Sequence, residues 1–464
     1  MPAPTDTRPD PGLSPAAAQR VRRRRQRAWY WYDWANSAYF TTTTTVLLGP
    51  YLTVIAKRAA CPGQDTDLAC GNDLRVLGLA VSPGSLFFYA ITATTLLSAL
   101  VLPVVGSLAD RTRDKRRLLG LLAWVGAAAA MAMVTLGGQR WQWGVALLAV
   151  AGLAMGSSLV VYDAILCDVA DPDERDRVSS RGWALGYIGG GLLLALNLGL
   201  VAGADRWGIT TEAAVRISLL SAGVWWAGFT LVPFLGLRGL VASAPGPREE
   251  GRPGAFQQLA ATLRHARLYP HALRFLVAYL FFNDGIQTVI VAASTFGAEE
   301  LRLGEGALMA TILVVQFVGA LGALGFGRLA RVWGAQRTIA LTLALWIVVV
   351  LAGVALPERQ FVPFLALGVA IGLVLGGSQA LSRSAFSRLI PRGREAEYFS
   401  LYQAAERGTS WLGTLVFGLV HQFSGSYRAG IATLVLFFVT GLVLLRRVDV
   451  AAGEAAACRP QPNG

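Results

Sequence analysis

Long apolar stretches recur along almost the whole chain, each about as long as a membrane-spanning helix. A helix needs roughly 20 mostly apolar residues to cross a bilayer, and twelve segments of the sequence meet this requirement. The predicted spans are residues 29–56, 82–106, 117–137, 142–166, 182–203, 215–237, 271–297, 306–329, 336–356, 361–382, 398–422 and 427–446. The pattern predicts an all-α polytopic membrane protein with twelve transmembrane helices.

The basic residues favour one orientation of these spans. With both termini in the cytoplasm, 29 of the 41 Lys and Arg residues lie in cytoplasmic segments and nine lie in external ones. Short cytoplasmic loops of membrane proteins carry this kind of excess. We therefore expect a multi-pass protein of the plasma (inner) membrane, with cytoplasmic tails at residues 1–28 and 448–464.

The middle of the chain changes in character. Residues 238–270 contain a stretch rich in Pro, Gly and Glu, followed by apolar residues among basic ones. This composition predicts a cytoplasmic linker that ends in a short interfacial helix. The linker divides the chain into an N-terminal six-helix bundle, residues 29–237, and a C-terminal six-helix bundle, residues 271–447.

The composition supports a membrane protein and argues against other classes. The chain is 54% hydrophobic and only 15% charged, whereas soluble domains carry roughly 25% charged residues. The net charge of +13 would suit nucleic-acid binding if it lay on a soluble surface. The basic runs at residues 22–25 and 111–117 instead flank apolar segments, as membrane anchors do, so no nucleic-acid partner is expected.

The four cysteines and three histidines indicate neither a metal centre nor a cofactor. Cys61 and Cys70 lie nine residues apart in one predicted external loop, where a disulfide and two free thiols are equally compatible with the sequence. We expect Cys167 and Cys458 to be free thiols. The histidines have no metal-binding spacing, and the sequence contains no HExxH motif.

The two halves repeat a short motif at a turn that is predicted to be cytoplasmic. The turn after the second span begins at Gly106 and contains Asp110, Arg111 and further basic residues, and 221 positions later Gly327 begins a second basic turn. Parallel six-helix repeats are a common construction of transporters. Gly106, Asp110 and Arg111 are therefore candidates for an inner gate or turn.

The first helix of each half also carries a similar polar stripe. In both helices an acid is followed three and four residues later by an amide and a hydroxyl, which places the three side chains within one arc. The stripes are Asp33, Asn36 and Ser37 in the first half, and Asp284, Gln287 and Thr288 in the second. We expect them to face one shared aqueous cavity. The alternative is that such residues are merely tolerated in packed membrane helices and match by chance.

Six ionisable residues fall within or beside the apolar cores of predicted spans. A charge near the bilayer centre costs several kcal/mol and usually marks a transport pathway. The six are Asp33, Asp163, Asp284, Arg383, Glu406 and Arg407. Asn283, next to Asp284, can bind a polar solute as donor or acceptor. For Asp33, the alternative is an anchoring or capping role near the inner interface.

Two of these positions suggest specific roles. Asp163 and Arg383 lie near the cytoplasmic ends of the fourth and tenth spans, and we expect them to meet in an inner gate. The alternative is that each pairs locally or extends to the headgroups. Arg407 is the candidate for holding a carboxylate-bearing solute, because a guanidinium offers a bidentate fork. A local pair with Glu406 is the alternative there.

Several motifs resemble those of a known transporter family. Gly106, Asp110 and Arg111 are similar to the signature of the major facilitator superfamily, G-x-x-x-D-R-x-x-R-R. Motifs from the first to the eleventh span are more specifically similar to the vacuole-effluxer-like family, also called the unknown major facilitator family. They are Tyr32-Asp-Trp-Ala-Asn-Ser-Ala-Tyr39, Gly182-Trp-Ala-Leu-Gly-Tyr-Ile-Gly-Gly-Gly191, Phe282-Asn-Asp-Gly285, Gly377-Ser-Gln-Ala-Leu-Ser-Arg-Ser384 and Ile390-Pro-Arg-Gly-Arg-Glu-Ala-Glu397.

The resemblance implies two pseudo-symmetric six-helix bundles, alternating access and secondary active transport. Vacuolar members of the family are associated with amino-acid efflux, which implies amino acids or related metabolites as the solute class. Two positions depart from the family pattern. Arg331 stands where the second inner turn typically has Asp, and Glu406-Arg407-Gly408 replaces the expected Gly-Lys-Ala.

Taken together, the residues and the resemblance predict a monomeric permease for a small polar solute, embedded in lipid. Proton coupling through Asp33 or Asp284 is a further hypothesis. A membrane-embedded enzyme is the first alternative, but no metal or nucleophile constellation lies in a span. The second alternative is a receptor or scaffold that has a transporter fold and moves nothing.

Overall fold

The structure is a computed structural model of the chain. It describes residues 14–65, 70–76, 78–240, 260, 264–303, 305–408, 410–424 and 426–458. The interfacial helix that we predict near the end of the linker falls mainly on residues 241–259 and 261–263, which lie outside the described residues.

The described chain is almost entirely helical. The helices of the first half are α1 (Pro15–Tyr39), α2 (Leu48–Ala60), α3 (Leu86–Arg111), α4 (Lys115–Ala132), α5 (Trp141–Val169), α6 (Pro172–Ala202) and α7 (Thr211–Gly236). Those of the second half are α8 (Pro270–Thr295), α9 (Glu305–Trp333), α10 (Ala335–Val354), α11 (Phe361–Leu389), α12 (Glu395–Gly408), α13 (Ser410–Ser424), α14 (Tyr427–Arg446) and α15 (Val450–Ala457). One hairpin joins strands β1 (Leu74–Val76) and β2 (Leu79–Val81), with Leu74 opposite Val81.

Within the described residues, ten helices are long and apolar enough to cross a membrane. They are α3 to α11 and α14, so the predicted all-α polytopic fold is confirmed. The other two predicted spans, the first and the eleventh, each fall on two helices. The first corresponds to α1 and α2, which a π-helical segment, Phe40–Leu47, joins. The eleventh corresponds to α12 and α13, and residue 409 between them lies outside the described residues.

Each half packs mainly on itself, and a smaller set of helices joins the halves. In the first half α1 packs on α6 and α7, and α4 packs on α5 and α7. In the second half α11 packs on α9 and α10, and α14 packs on α8 and α10. The halves meet through α6 with α9 and α11, and through α3 and α5 with α12.

Both ends of the described chain form helices within segments that the sequence predicts as cytoplasmic tails. The helix α1 begins fourteen residues before the predicted span, with the Ser14 hydroxyl accepting a hydrogen bond from Ala17 N. Arg22 of the basic run forms an ion pair with Asp171, and Gln26 Nε2 donates to Val169 O at 3.0 Å. The N-terminal basic run is thus helical and docked on the turn between α5 and α6. The short α15 similarly packs on α11 and α8.

The helix directions define two faces of the molecule. The start of α1 and the end of α14 lie on one face, which we call the terminal face. The opposite face, the disulfide face, carries α2, the hairpin and a disulfide between Cys61 and Cys70. Leu74 of the hairpin packs in an apolar cluster with Leu52 and Ala56 of α2.

The cysteine arrangement predicts a specific labelling pattern. Folded protein in detergent should react with one maleimide-polyethylene glycol per chain, at Cys458, because Cys167 is buried and the other two cysteines are joined. Denaturation without reductant should raise labelling to two per chain, and reduction with denaturation to four. The Cys458→Ala variant should remain unlabelled when folded. Two or more labels on the folded wild-type chain would contradict this arrangement.

Candidate functional site

A cavity of about 990 Å³ lies between the two halves. Helices of both halves form its walls, and its lining reaches Thr53 and Gly353 toward the disulfide face. Toward the terminal face the lining ends at charged and amide side chains. This polar floor consists of Asp33, Asp163, Arg383, Gln379, Gln403 and Glu406.

Arg383 of α11 crosses from the second half into the first. Its Nη2 donates to Asp33 Oδ2 of α1 at 3.1 Å, and its Nη1 lies 3.4 Å from Asp163 Oδ1 of α5. Its Nε donates to Ser179 Oγ of α6 at 2.9 Å. All four residues are buried. Buried charges are tolerated when they are paired and hydrogen-bonded, so this bridge couples the halves at the polar floor.

Aromatic rings surround the guanidinium. The Arg383 carbon Cζ lies 4.9, 5.5 and 5.4 Å from the ring centroids of Trp29, Tyr162 and Trp183. Rings at such distances attract a cation through their electron-rich faces. The Tyr162 hydroxyl also donates to Asp33 Oδ2 at 2.8 Å. The rings and the hydroxyl together fix the geometry of the bridge.

The polar stripe of α1 lies directly against the backbone of α6. A Cβ atom on Gly182 would contact Asp33 Oδ2, and one on Gly186 would lie 2.7 Å from Ser37 Oγ. Both pairs follow the same four-residue spacing, so glycine on α6 makes room for each polar side chain of α1. Asn36, on the same stripe, lines the cavity and donates from Nδ2 to Tyr32 O at 2.6 Å.

The stripe of α8 is divided between the cavity and a buried helix contact. Gln287 lines the cavity, whereas Asp284 and Thr288 are fully buried outside its lining. Asp284 Oδ2 accepts a hydrogen bond from Gly413 N of α13 at 2.8 Å, and the Thr288 hydroxyl donates to Asp284 O. We expected both stripes to face one shared cavity, but Asp284 and Thr288 lie outside its lining because α13 packs against this part of α8.

An amide network extends the polar floor into the second half. Asn283 Oδ1 accepts from Gln379 Nε2 at 2.9 Å, and Asn283 Nδ2 donates to Glu406 O at 3.1 Å. Gln403 Nε2 donates to Asp163 Oδ2 at 2.9 Å and lies 3.3 Å from Glu406 Oε2. Through these contacts α8, α11 and α12 meet α5 at one place. The side chain of Arg407 lies outside the described part of the structure.

Below the polar floor, a second set of contacts closes the terminal face. Asp176 of α6 accepts a hydrogen bond from Ser384 and forms an ion pair with Arg388 at 2.6 Å. Arg175 donates to Ser387 O at 2.5 Å, and the Ser179 hydroxyl donates to the Ala380 carbonyl at 2.8 Å. We call these contacts between α6 and α11 the terminal closure.

Two of the inner-turn candidates, Gly106 and Asp110, form a separate contact with α12 on the same face. Asp110 accepts from Ala396 N at 2.9 Å and from Glu397 N at 2.8 Å, the first backbone amides of α12. A carboxylate is stabilised at this end of a helix by unpaired amides and the helix dipole. Gly106 permits the approach, since a Cβ atom there would lie 2.6 Å from Ala396 O. Arg111 ends α3 and is half-buried.

Acidic and basic groups crowd this turn. Lys115 and Asp168 form a buried ion pair at 3.1 Å. Burial raises the pKa of Glu395, and the nearby Lys115 ammonium acts in the opposite direction.

In the second half, Arg331 takes the place of the family's acid and is exposed. The carboxylate cap on α12 is therefore a feature of the first inner turn.

Several residues of the site were not singled out in the sequence. They are Trp29, Tyr162, Asp176, Ser179, Gln379, Arg388 and Gln403. One had a usable signal, because Gln379 lies four residues before Arg383 and therefore on the same helix face. Ser179 and Gln403 meet Arg383 and Asp163 only through packing between helices that are distant in sequence.

Removing the positive charge of Arg383 should strongly destabilise the folded protein. Arg383→Gln leaves two buried carboxylates without their guanidinium, and breaking a buried pair in this way costs about 3–5 kcal/mol. We expect a lower thermal midpoint in detergent, measured by fluorescence-detected size-exclusion chromatography. The matched control is Arg331→Gln, an exposed arginine of the same half. Equal midpoints for the two variants would contradict a stabilising bridge.

The chain is similar to members of a known transporter family. The family profile described as "Vacuole effluxer Atg22 like" matches residues 21–458. An uncharacterized MFS-type transporter, YxiO of Bacillus subtilis (strain 168), is 26% identical over 90% of this chain and 93% of its own. Autophagy-related protein 22 of Kluyveromyces lactis is 25% identical over 92% and 94%, respectively.

Solved structures show the same fold at low sequence identity. A bacterial homologue of the iron transporter ferroportin, in an outward-facing state, superposes with a TM-score of 0.65 at 14% identity, covering 92% of this chain and all of that one. The human organic anion transporter MFSD10 gives 0.64 at 15% identity, covering 91% and 99%. With its family profile, relatives and fold in agreement, the chain belongs to the vacuole effluxer Atg22-like family of membrane transporters in the major facilitator superfamily.

Proposed function

We propose that this protein is a secondary active transporter that moves a small polar solute by alternating access. The observation that carries the proposal is a cavity walled by both halves whose described lining ends in buried ion pairs toward the terminal face. Its closed end is the bridge from Arg383 to Asp33 and Asp163. Rocking of two similar bundles about such a site would close one face and open the other.

The contacts that would separate in this movement are the Arg383 bridge, the terminal closure and the Asp110 cap on α12. They are polar and lie between the halves, so water can replace each of them when the face opens. Hydrogen bonds exchanged with water contribute only about 0.5–1.5 kcal/mol each. A solute that binds one state more tightly can therefore shift the balance between states.

We assign the terminal face to the cytoplasm and the protein to the plasma (inner) membrane. The support is the excess of Lys and Arg in the segments at that face. The described lining of the cavity then extends from a cytoplasmic floor toward the outside. The resemblance to the vacuole-effluxer-like family favours an amino acid or a related metabolite as the solute.

We assign proton coupling to Asp284. Asp33 is engaged by Arg383, whereas no described cation pairs with Asp284. Its Oδ1 is buried and has no hydrogen-bond partner among the described atoms. Burying an uncompensated charge is costly, so this carboxyl can take up and release a proton as its surroundings change. Its contact with Gly413 N would link that change to α13.

Locking the terminal closure should stop transport. We would replace Asp176 and Arg388 by cysteine in a chain that carries Cys167→Ala and Cys458→Ala, and reconstitute it in liposomes. Flux of an isotope-labelled amino-acid mixture, read by mass spectrometry, should fall to background after treatment with a bifunctional thiol reagent. The halves can no longer separate on that face.

The control joins two positions of the first half on the same face, Arg22→Cys with Asp171→Cys. Its flux should survive the reagent, because the cross-link spans no moving interface. Unchanged flux in the cross-linked Asp176 and Arg388 pair would contradict alternating access. Absence of any flux before treatment would instead favour a receptor or scaffold that moves nothing.

Neutralising Asp284 should uncouple transport from a proton gradient. Asp284→Asn keeps the size of the side chain but cannot exchange a proton. We expect gradient-driven accumulation in liposomes to be lost while exchange of solute across the membrane continues. Asp205→Asn, an exposed acid on the disulfide face, is the control. Full gradient-driven accumulation by Asp284→Asn would remove this residue from coupling.

A further inference from the structure

The described lining of the cavity carries more negative than positive groups. Three carboxyl groups line it, from Asp33, Asp163 and Glu406, and the guanidinium of Arg383 is the cation among the described lining residues. When all four are ionised, the described lining has an excess of two negative charges. A cavity of this sign concentrates cations and repels anions.

The positive charge of Arg383 is already used within the protein. Each of its three nitrogens faces an acceptor on the first half: Nε faces Ser179 Oγ, Nη2 faces Asp33 Oδ2 and Ser179 O, and Nη1 faces Asp33 and Asp163. Trp29, Tyr162 and Trp183 enclose it further. An anionic solute would have to displace buried ion pairs to reach it, at a cost of several kcal/mol.

Acceptors instead converge beside the bridge. The amide nitrogen of Gln403 contacts both Asp163 Oδ2 and Glu406 Oε2, so one ligand group can reach both carboxylates. The amide oxygen of Gln403 is buried and has no hydrogen-bond partner among the described atoms. Gln403 is only 3% exposed. A vacant acceptor beside two negative charges is suited to a hydrogen-bond donor that is itself positively charged.

The neighbouring wall suits the remainder of such a ligand. Tyr187, Trp183 and Tyr402 line the cavity close to the polar floor, and Phe40 and Phe364 line it farther toward the disulfide face. Aromatic faces attract ammonium and guanidinium groups and also pack against aliphatic chains. The walls therefore offer an apolar path that leads to an acidic end.

We infer that the cavity selects organic cations, whose ammonium or guanidinium group binds between Asp163, Gln403 and Glu406. This inference rests on the proposed transport function and narrows its solute class. Basic amino acids fall within the class, whereas neutral and acidic amino acids lack the second positive charge that would offset the excess. The opposing expectation, from the sequence, is that Arg407 recognises the solute by its carboxylate.

The test compares solutes of different charge in the reconstituted full-length protein. L-arginine and L-lysine are the cationic probes, L-leucine is the neutral probe and L-glutamate is the anionic probe. Both isotope uptake into liposomes and the ligand-induced rise in thermal midpoint in detergent are measured. We expect the cationic probes to be transported and to stabilise the protein, with leucine and glutamate having little effect.

Paired variants test which charged side chain of the protein binds the solute. Glu406→Gln should weaken the apparent affinity for L-arginine by about tenfold or more, which corresponds to about 1.4 kcal/mol. Glu358→Gln makes the same chemical change at an exposed position outside the cavity, so it should bind L-arginine like the wild type. Arg407→Gln tests the opposing expectation. Loss of affinity in Arg407→Gln but not in Glu406→Gln would overturn the inference.

The possible failures are distinguishable. Transport of leucine or glutamate without transport of any cationic probe would overturn the cation inference and leave the transport function standing. Absence of both flux and stabilisation with every probe would overturn both. If Glu406→Gln removes proton-driven accumulation but keeps the affinity for L-arginine, the acidic end binds a proton rather than the solute, and the inference fails.

Discussion

The buried contact of one guanidinium with two carboxylates holds the two halves of this molecule in register. Arg383 contributes a positive charge from the second half, and Asp33 and Asp163 contribute negative charges from the first. In a membrane protein none of these groups can be left alone away from water, because each would carry its full desolvation cost. Each half therefore buries its charges only in the presence of the other half.

That requirement explains much of the surrounding architecture. Glycine at position 182 brings α6 against α1, so that Asp33 can reach across to α11. The rings of Trp29, Tyr162 and Trp183 shield the guanidinium and supply attraction of their own. The bridge also marks where the described lining of the cavity ends on the side of the terminal face. A single charged contact thus shapes the interface, the cavity and its closed end.

Two kinds of contact support the closed face in different ways. The terminal closure uses direct side-chain contacts, such as Asp176 with Arg388. The Asp110 cap uses a carboxylate on backbone amides of α12 and needs no partner side chain. The cap depends on the helix end alone, so it tolerates changes of side chain in α12. At the second inner turn, Arg331 stands in place of the acid that such a cap requires.

The residues of the bridge were visible in the sequence, but most of its partners were not. Asp33, Asp163 and Arg383 attract notice because a charge inside an apolar stretch is costly wherever the helix lies. Ser179 and Gln403 do not, since hydroxyl and amide side chains are common in packed membrane helices. Asp284 and Gln287 share a stripe by helix period, yet the contact with α13 buries the first and leaves the second in the cavity.

The sequence by itself determined the membrane environment, the helical segments and the charges that must turn inward, because these follow from local hydropathy and the cost of burying an ion. Only the tertiary structure decided which charges meet and which side chains reach water. Helix period fixes the angular positions of side chains on one helix, but not the neighbour that packs against each position. That choice depends on contacts between residues hundreds of positions apart, such as Asp33 with Arg383.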